Sequence, residues 1–304
     1  MDNVMVTGGA GFIGSVLVKH LLENGVRVTV VDDFSTGRWE NLPTSPDLKV
    51  FVHDVAVRHG LAEFFDKVDA VIHLAAIPSV PACEKNVQRA FEVNVMGLEN
   101  VLETCVKRGV GKLVFTSSAA VYGDAEGVLR EDAETRPFSV YGWTKLIGEE
   151  MLRSFSEKHG VEAVALRVFN VYGRNSASGF LGVVDQFIAD AASGKPLHIH
   201  GDGGQVRDFI HVNDVAKAIL LALEKTLKKF ETINIGTGQP TSIKNLAEKV
   251  LTAFGRRASD IVYEPARRGD IRYSVADISK AHQLLGFSPK TTLDTYLASR
   301  APVR

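Results

Sequence analysis

Residues 4–14, Val4-Met5-Val6-Thr7-Gly8-Gly9-Ala10-Gly11-Phe12-Ile13-Gly14, pass from an apolar strand-like run through a glycine-rich turn into an apolar helix. Gly8, Gly11 and Gly14 stand at GxxGxxG spacing. Glycine is required where a chain turns tightly, where its backbone must approach a pyrophosphate, and where a helix packs closely on a strand. The N–H groups at the start of such a helix, with the positive end of its dipole, favour a phosphate. A glycine triplet alone fits any tight strand–helix turn, so the flanking residues decide. Val30-Val31-Asp32 ends the next apolar run and places a carboxylate where it can accept both ribose hydroxyls of an adenosine. The same carboxylate repels a 2′-phosphate, which favours NAD over NADP, although Arg38 could accommodate one. Gly8, Gly11, Phe12, Ile13, Gly14, Asp32 and Asp33 are therefore candidate cofactor-binding residues.

Outward from this turn, short runs rich in Val, Ile and Leu alternate with amphipathic stretches. Val4–Thr7, Arg27–Val31, Lys49–Val52, Ala70–Leu74, Lys112–Ser117 and Ala163–Val168 read as strands buried on both faces. Gly11–Asn24, Val57–Lys67, Gln88–Arg108 and Val140–Lys158 read as helices, several ending at a glycine: Asn24-Gly25, Arg108-Gly109, His159-Gly160. The alternation implies right-handed crossovers and a parallel sheet. Beyond Asn170 the rhythm changes. Asn175–Gly182 and His200–Gln205 read as loops, Val184–Ser193, Val212–Leu223 and Thr241–Phe254 as helices, and Thr232–Ile235 as a late strand. The expected fold is α/β, a Rossmann-type doubly wound parallel sheet with a smaller interleaved C-terminal substrate-binding lobe. Residues 1–170 plus 205–238 would form the first part, and 171–204 plus 239–304 the second.

With 304 residues, 45% of them apolar, the chain can build a sizeable core. Charged residues make up 23% and nearly cancel to a net charge of -1, with no basic run, which argues against nucleic-acid binding. Two cysteines, Cys83 and Cys105, have no ligand pattern around them and read as packing residues, not a disulfide or metal site. No apolar run approaches the ~20 residues of a membrane span. With no charged leader ahead of Val4, cytoplasm is the expected location.

Chemistry-bearing residues recur at the ends of the predicted strands. Asp54, in His53-Asp54-Val55, could bond an adenine amino group. The small residues of His73-Leu74-Ala75-Ala76 would let a cofactor lie across the carboxyl edge of the sheet. His73 itself reads as a satisfied structural histidine. Tyr141 and Lys145, four apart in a helix, share one face. A phenol titrates near ~10, and an adjacent ammonium together with a positive nicotinamide would lower that value and make it a usable base. Phe115-Thr116-Ser117-Ser118 ends the fifth strand and supplies hydroxyls, of which Ser118 could bond a substrate oxygen while another simply caps backbone.

TGGAGFIG (7–14), Asp32, HLAA (73–76), TSSAAVYG (116–123), YGWTK (141–145) and RVFNVYG (167–173), in this order, resemble the extended short-chain dehydrogenase/reductase family of NAD-dependent nucleotide-sugar enzymes. The likeness covers nearly the whole chain. It implies Ser118, Tyr141 and Lys145 as the catalytic trio. Asp54, Val55, Leu74, Ala75, Ala76, Asn94, Thr116 and Phe169 would lie beside the NAD, with Asn94 ordering the site and Phe169 packing at the nicotinamide. For the substrate it implies Asn170 and Arg207 at the diphosphate, Arg268 on phosphate, Asp270 on the nucleotide ribose, and Ser274 lining the sugar pocket. Ser79, in Pro78-Ser79-Val80-Pro81, resembles relatives that handle larger or modified sugars. The family's dehydratases and decarboxylases carry an acid after the serine or before the VYG. Ala119 and Ala120 stand there, which favours 4-epimerisation of a UDP-sugar such as UDP-glucose or UDP-galactose. Another nucleotide-sugar enzyme (a UDP-glucuronate epimerase, a dehydratase or a reductase) and a non-catalytic NAD sensor remain the alternatives. The small Ser274 leaves room for an N-acetyl group. The resemblance also implies a homodimer formed through Gln88–Arg108 and Val140–Lys158.

Overall fold

A computed structural model describes residues 1–173, 182–227, 229–267 and 269–302. The dinucleotide turn joins β1 (Asn3–Thr7) to α1 (Phe12–Glu23). Then come β2 (Arg27–Asp32), β3 (Leu48–Val52) and β4 (Ala70–His73), followed by α2 (Val80–Lys85), α3 (Val87–Phe91) and α4 (Gly97–Arg108). Next are β5 (Lys112–Ser118), the short β6 (Val128–Leu129), α5 (Val140–His159) and β7 (Glu162–Val168). The later chain forms β8 (Asn170–Tyr172), α6 (Val183–Ala192), β9 (Leu197–His200), β10 (Val206–His211), α7 (Val212–Glu224) and β11 (Phe230–Ile235). It ends with β12 (Pro240–Ser242), α8 (Ile243–Ala253), β13 (Ile261–Glu264), β14 (Tyr273–Ala276), α9 (Ser279–Leu285) and α10 (Leu293–Arg300).

The large sheet has seven parallel strands in the order β3-β2-β1-β4-β5-β7-β11. Alternate side chains serve opposite layers. Val4 and Val6 pack with Leu17, Ile219 and Leu285 on one face, while Met5 packs with Leu98, Phe115 and Leu152 on the other. Burial on both faces is why these strands read as continuous apolar runs. The chain leaves β1 toward β2 in one direction and reaches β4 in the other, so the crevice at the carboxyl ends of β1 and β4 is the topological switch point.

A second sheet, β12-β10-β14-β6 with β8 beside β10, forms the smaller lobe with a separate β13–β9 pair. Its core gathers Phe187, Leu197, Leu246, Leu251 and Leu297. β10 falls within the segment 205–238 grouped above with the first part, yet it bonds to this second sheet, whereas α7 packs on α1 and β11 on β7 of the large one. The fully buried Asp208 joins the two sheets. It accepts hydrogen bonds from Thr237 N and Gly238 N, both 2.8 Å, in the turn after β11, and from Ala276 N of β14 at 3.2 Å.

Two predicted helices differ. Val57–Lys67 is not helical throughout; a single short turn spans Leu61–Phe64, because Gly60 takes the left-handed conformation at φ 84 and breaks the run. Gln88–Arg108 is interrupted by a π turn at Glu92–Met96, which swings Asn94 inward. The predicted loop Asn175–Gly182 lies almost wholly outside the described residues.

Replacing Asp208 with alanine strands several buried N–H donors. An expected loss of about 3 kcal/mol is read from the midpoint of urea unfolding; an unshifted midpoint would count against Asp208 as the tie between sheets.

Candidate active site

A cavity of about 1000 Å³ opens at the switch point. Gly8, at φ 71, passes so close to the loop after β4 that a Cβ on it would stand 2.7 Å from Ala75 N. On Gly14 a Cβ would meet Gly8 O at 2.2 Å. The turn is thus closed to any side chain, and α1 presents its backbone start to the cavity, with no capping side chain at Gly11. Gly8, Gly11, Phe12, Ile13, Gly14, Asp32, Asp33, Asp54, Val55, Leu74, Ala75, Ala76, Ser79, Thr116, Ser118, Tyr141, Lys145 and Phe169 all line the cavity. The Asp32 carboxylate accepts from Ala10 N and Phe34 N, both 2.9 Å, and burial raises its pKa. Two of its acceptor positions remain for a ligand. Asp54 is less available than expected: its carboxylate is ion-paired with Arg89 and accepts from Ala56 N.

The candidate catalytic residues come together where β5 meets α5. Ser139 caps α5 by accepting from Gly142 N at 3.1 Å, which fixes the phase of the helix and turns Tyr141 and Lys145 toward β5. The Ser118 hydroxyl bonds the Tyr141 phenol and also accepts from Ala120 N at 3.1 Å. Lys145 Nζ donates to Thr116 O at 2.8 Å and lies 5.8 Å from the centre of the Tyr141 ring. Burial pushes the Lys145 ammonium down to about 8. The expected lowering of the phenol is not a property of the chain alone. Burial pushes Tyr141 up to about 12, and only the Ser118 hydrogen bond opposes it. An added positive charge at the ring is what this phenol lacks.

His73 accounts for part of the electrostatics. Its Nδ1 pairs with Thr7 Oγ1 at 2.8 Å, but its buried Nε2 has no partner among the described residues, so the histidine is half satisfied there. Burial and then the Lys145 charge push it down to about 3, leaving it neutral. Asn94 does not line the cavity. It accepts from Ile77 N at 2.7 Å and donates to Thr144 Oγ1 at 3.1 Å, tying the loop after β4 to α5.

The remaining candidates sit in the second sheet, outside the cavity lining. Asn170, at the start of β8, donates to Asp208 O at 3.3 Å. Arg207 on β10 pairs with Asp270 at 2.6 Å and stands in register with the buried Ser274 of β14. Arg268 lies outside the described residues. Sequence reasoning missed Phe34, Ser35, Thr36 and Gly37, which wrap the far end of the cavity. Phe34 has a left-handed backbone, φ 57, and its ring stacks on Trp39 at 4.4 Å. The only signal was the polar Asp33–Arg38 stretch after β2. Glu149 and Arg167 were missed as well, although Glu149 continues the four-residue spacing of Tyr141 and Lys145.

Residues 4–236 match the NAD dependent epimerase/dehydratase family. The chain belongs to that family. This NAD-dependent enzyme is 35% identical to a UDP-glucose 4-epimerase of Azospirillum brasilense over 311 residues, covering 94% of this chain and 87% of the relative. Among solved structures it is similar to a UDP-glucose 4-epimerase of Thermotoga maritima with UDP-glucose. That match has a TM-score of 0.92, 37% identity, and coverage of 97% of this chain and 96% of the other. It is also similar to a UDP-N-acetylglucosamine 4-epimerase of Methanobrevibacter ruminantium in complex with UDP-N-acetylmuramic acid. There the TM-score is 0.91, the identity 34%, and the coverage 98% and 96%. NAD is the cofactor of this epimerase/dehydratase, and the side-chain-free turn at Gly8 and Gly14 beside the large cavity fits its pyrophosphate. Among the described residues no helix is long and apolar enough to cross a membrane.

The displaced Lys145 has a measurable consequence. Its pKa is about 8 in the fold, against ~10.4 in an unfolded chain. Between these values the unfolded chain binds more protons, so stability rises with pH through that window. Above ~10 the raised Tyr141 reverses the trend, because the unfolded phenol ionises first. Urea unfolding at pH 8 and pH 10 is expected to show the wild type gaining on the order of 2 kcal/mol relative to Lys145→Met. Equal gains in both proteins would contradict the burial of a strained ammonium.

Proposed function

We propose that this enzyme interconverts the C4 epimers of a UDP-sugar, with UDP-glucose and UDP-galactose as the leading pair. The observation that carries this reading is the Ser118–Tyr141–Lys145 cluster at one wall of the NAD cavity, followed by Ala119 and Ala120. Tyr141 takes the proton of the sugar 4-hydroxyl, and Ser118 bonds the same oxygen. Lys145, fixed to Thr116 O, holds its ammonium 5.8 Å from the centre of the ring. NAD, held by the Gly8–Gly14 turn and the Asp32 carboxylate, would supply the acceptor and donor of the C4 hydride and a positive charge that would bring the phenol into a working range. Two alanines offer no second acid or base, so loss of water or carboxylate has no agent there. The sugar must turn over as the ketone while its nucleotide stays held. Arg207 and Asp270, with Arg268, are suited to that anchoring, since guanidinium binds phosphate oxygens through two bonds. Cytoplasm is the proposed location. Exposed Phe91, Met96, Val106 and Trp143, at and between the helices α3, α4 and α5, support a homodimer.

Tyr141→Phe removes the base and is expected to lower turnover of UDP-galactose by about a thousandfold or more, with bound NAD retained. Near-wild-type conversion, followed by NMR of the products, would refute the assignment. The small side chain of Ser274, where a bulkier residue would fill more of the sugar pocket, favours acceptance of an N-acetyl group. UDP-N-acetylgalactosamine is therefore expected to turn over within about tenfold of UDP-galactose; activity on UDP-galactose alone would remove this extension.

A further inference from the structure

Three consecutive residues of β5 hold three successive turns of α5. Ser118 bonds Tyr141, Thr116 O accepts from Lys145, and Ser117 Oγ donates to Glu149. The third contact is the start of a buried ion pair. Arg167 is the direct cross-strand neighbour of Ser117 in the β5–β7 register. Its guanidinium grips Glu149 with two bonds, Nε to Oε1 at 2.9 Å and Nη2 to Oε2 at 2.7 Å. Glu149 is 2% exposed and Arg167 5%. The other side of the guanidinium lies 4.8 Å from the Tyr122 ring, and its Nη1 donates to Glu131 O at 3.2 Å. Tyr122 in turn donates to Asn234 Oδ1 at 2.6 Å.

Two charges this deeply buried are costly, and a well-packed apolar pair often stabilises a fold as well or better. Stability alone is therefore a weak account of the pair. Its placement suggests another. Tyr141, Lys145 and Glu149 follow one another at four-residue steps along one helix face. The bidentate grip is the most geometrically restrictive of the three contacts, and it acts one turn beyond the lysine.

We propose that the Glu149–Arg167 pair is a positioning element of the active site, clamping α5 against β5 and β7 so that Tyr141 and Lys145 stay in register with Ser118. The proposal rests on the epimerase reading above. Besides holding the helix, Glu149 is a carboxylate whose charge acts on Lys145. The other groups facing the pair Tyr141–Lys145 are Cys83 from α2, the neutral His73 from β4, and the Ser118 hydroxyl. Arg167 on β7 faces Glu149, and Tyr122 packs against the Arg167 guanidinium. Removing the Glu149 charge leaves the surroundings more positive, which stabilises phenolate and destabilises ammonium. Both groups then titrate at lower pH.

The test is carried out on the NAD-bound enzyme. Glu149→Gln is expected to lower kcat on UDP-galactose about tenfold with little change in KM. It should also move the Tyr141 titration, and the pH profile of kcat with it, to lower pH by about half a unit or more. The Tyr141 titration is read as phenolate absorbance relative to the same protein carrying Tyr141→Phe. The double variant Glu149→Met/Arg167→Met removes both charges and keeps the seam filled. It should fold even where the single variant does not, titrate close to the wild type, and still turn over about tenfold more slowly. Unmoved titration in Glu149→Gln with only a lower unfolding temperature, or a wild-type kcat in the double variant, would overturn the clamp. The absorbance does not depend on which sugar is processed. Failure of the clamp is thus separable from failure of the epimerase reading, which shows as absent conversion by the wild type or persistent conversion by Tyr141→Phe.

Discussion

A buried ammonium beside a buried phenol is the constraint around which the rest of the molecule is arranged. Neither group is comfortable there. Burial drives Lys145 toward its neutral form and Tyr141 toward its protonated form, so each is displaced away from the charge it would need as half of a base pair. The chain offsets this only in part, through the Thr116 carbonyl, Cys83 and the Glu149 carboxylate for the lysine and one serine hydroxyl for the tyrosine. A site left this short of positive charge at the ring is matched to a cationic partner arriving from outside the chain. An oxidised pyridine ring bound in the adjacent cavity would supply that charge and so would couple readiness of the proposed base to occupancy by the oxidant.

The fold makes this coupling geometric. Carboxyl ends of β1, β2, β4 and β5 converge on one rim, so a turn that admits a pyrophosphate at Gly8 and a helix that carries a phenol at Tyr141 face the same space. Position along α5 is then what sets the distance between base and oxidant. Regular hydrogen bonding within the helix cannot fix that position, because a helix can slide or roll as a rigid body. Side-chain contacts to β5 must do it, and Asn94 adds a further tie by bridging the π turn, Ile77 and Thr144. A π turn inserted between α3 and α4 is the local irregularity that lets an amide reach inward there.

Much of the large sheet was legible because burial on both faces writes itself into sequence as unbroken Val, Ile and Leu runs, and because Gly8, Gly11, Gly14 and Asp32 occupy positions where other residues fail for steric or charge reasons. Less was legible where structure depends on contacts between distant segments. The run 57–67 has helical composition, but a left-handed Gly60 and the packing of Leu61 and Phe65 set its course. The π turn leaves no compositional mark. Short strands such as β6 and β8 exist only because β14 and β10 pair with them. At the site, spacing on one helix was readable for Tyr141 and Lys145. Arg167 was not, since an arginine inside an apolar strand acquires meaning only when β7 is set in register with Ser117 and Glu149 is brought over it. Asp54 shows the opposite failure: a carboxylate at a promising strand end is already engaged by Arg89 from α3.

Division of labour between the two sheets follows from the same economy of acid–base groups. The turn that follows Ser118, Ala119–Tyr122, contains no carboxylate. On the proposed reading, proton transfer there would be confined to one oxygen, and a sugar ketone formed at C4 would find no acid or base in that turn to draw off its neighbouring protons. Its options are to leave or to accept hydrogen again. Leaving is opposed by whatever holds the nucleotide, and the candidates for that, Arg207 and Asp270, are mounted on β10 and in the segment before β14, away from the reacting wall. Asp208, one residue after Arg207, ties this anchoring strand to the turn after β11 of the large sheet. The proposed anchor and the proposed base are therefore fixed relative to each other by a buried carboxylate, a rigid frame within which the proposed return of hydride to the opposite face would require only the sugar to turn.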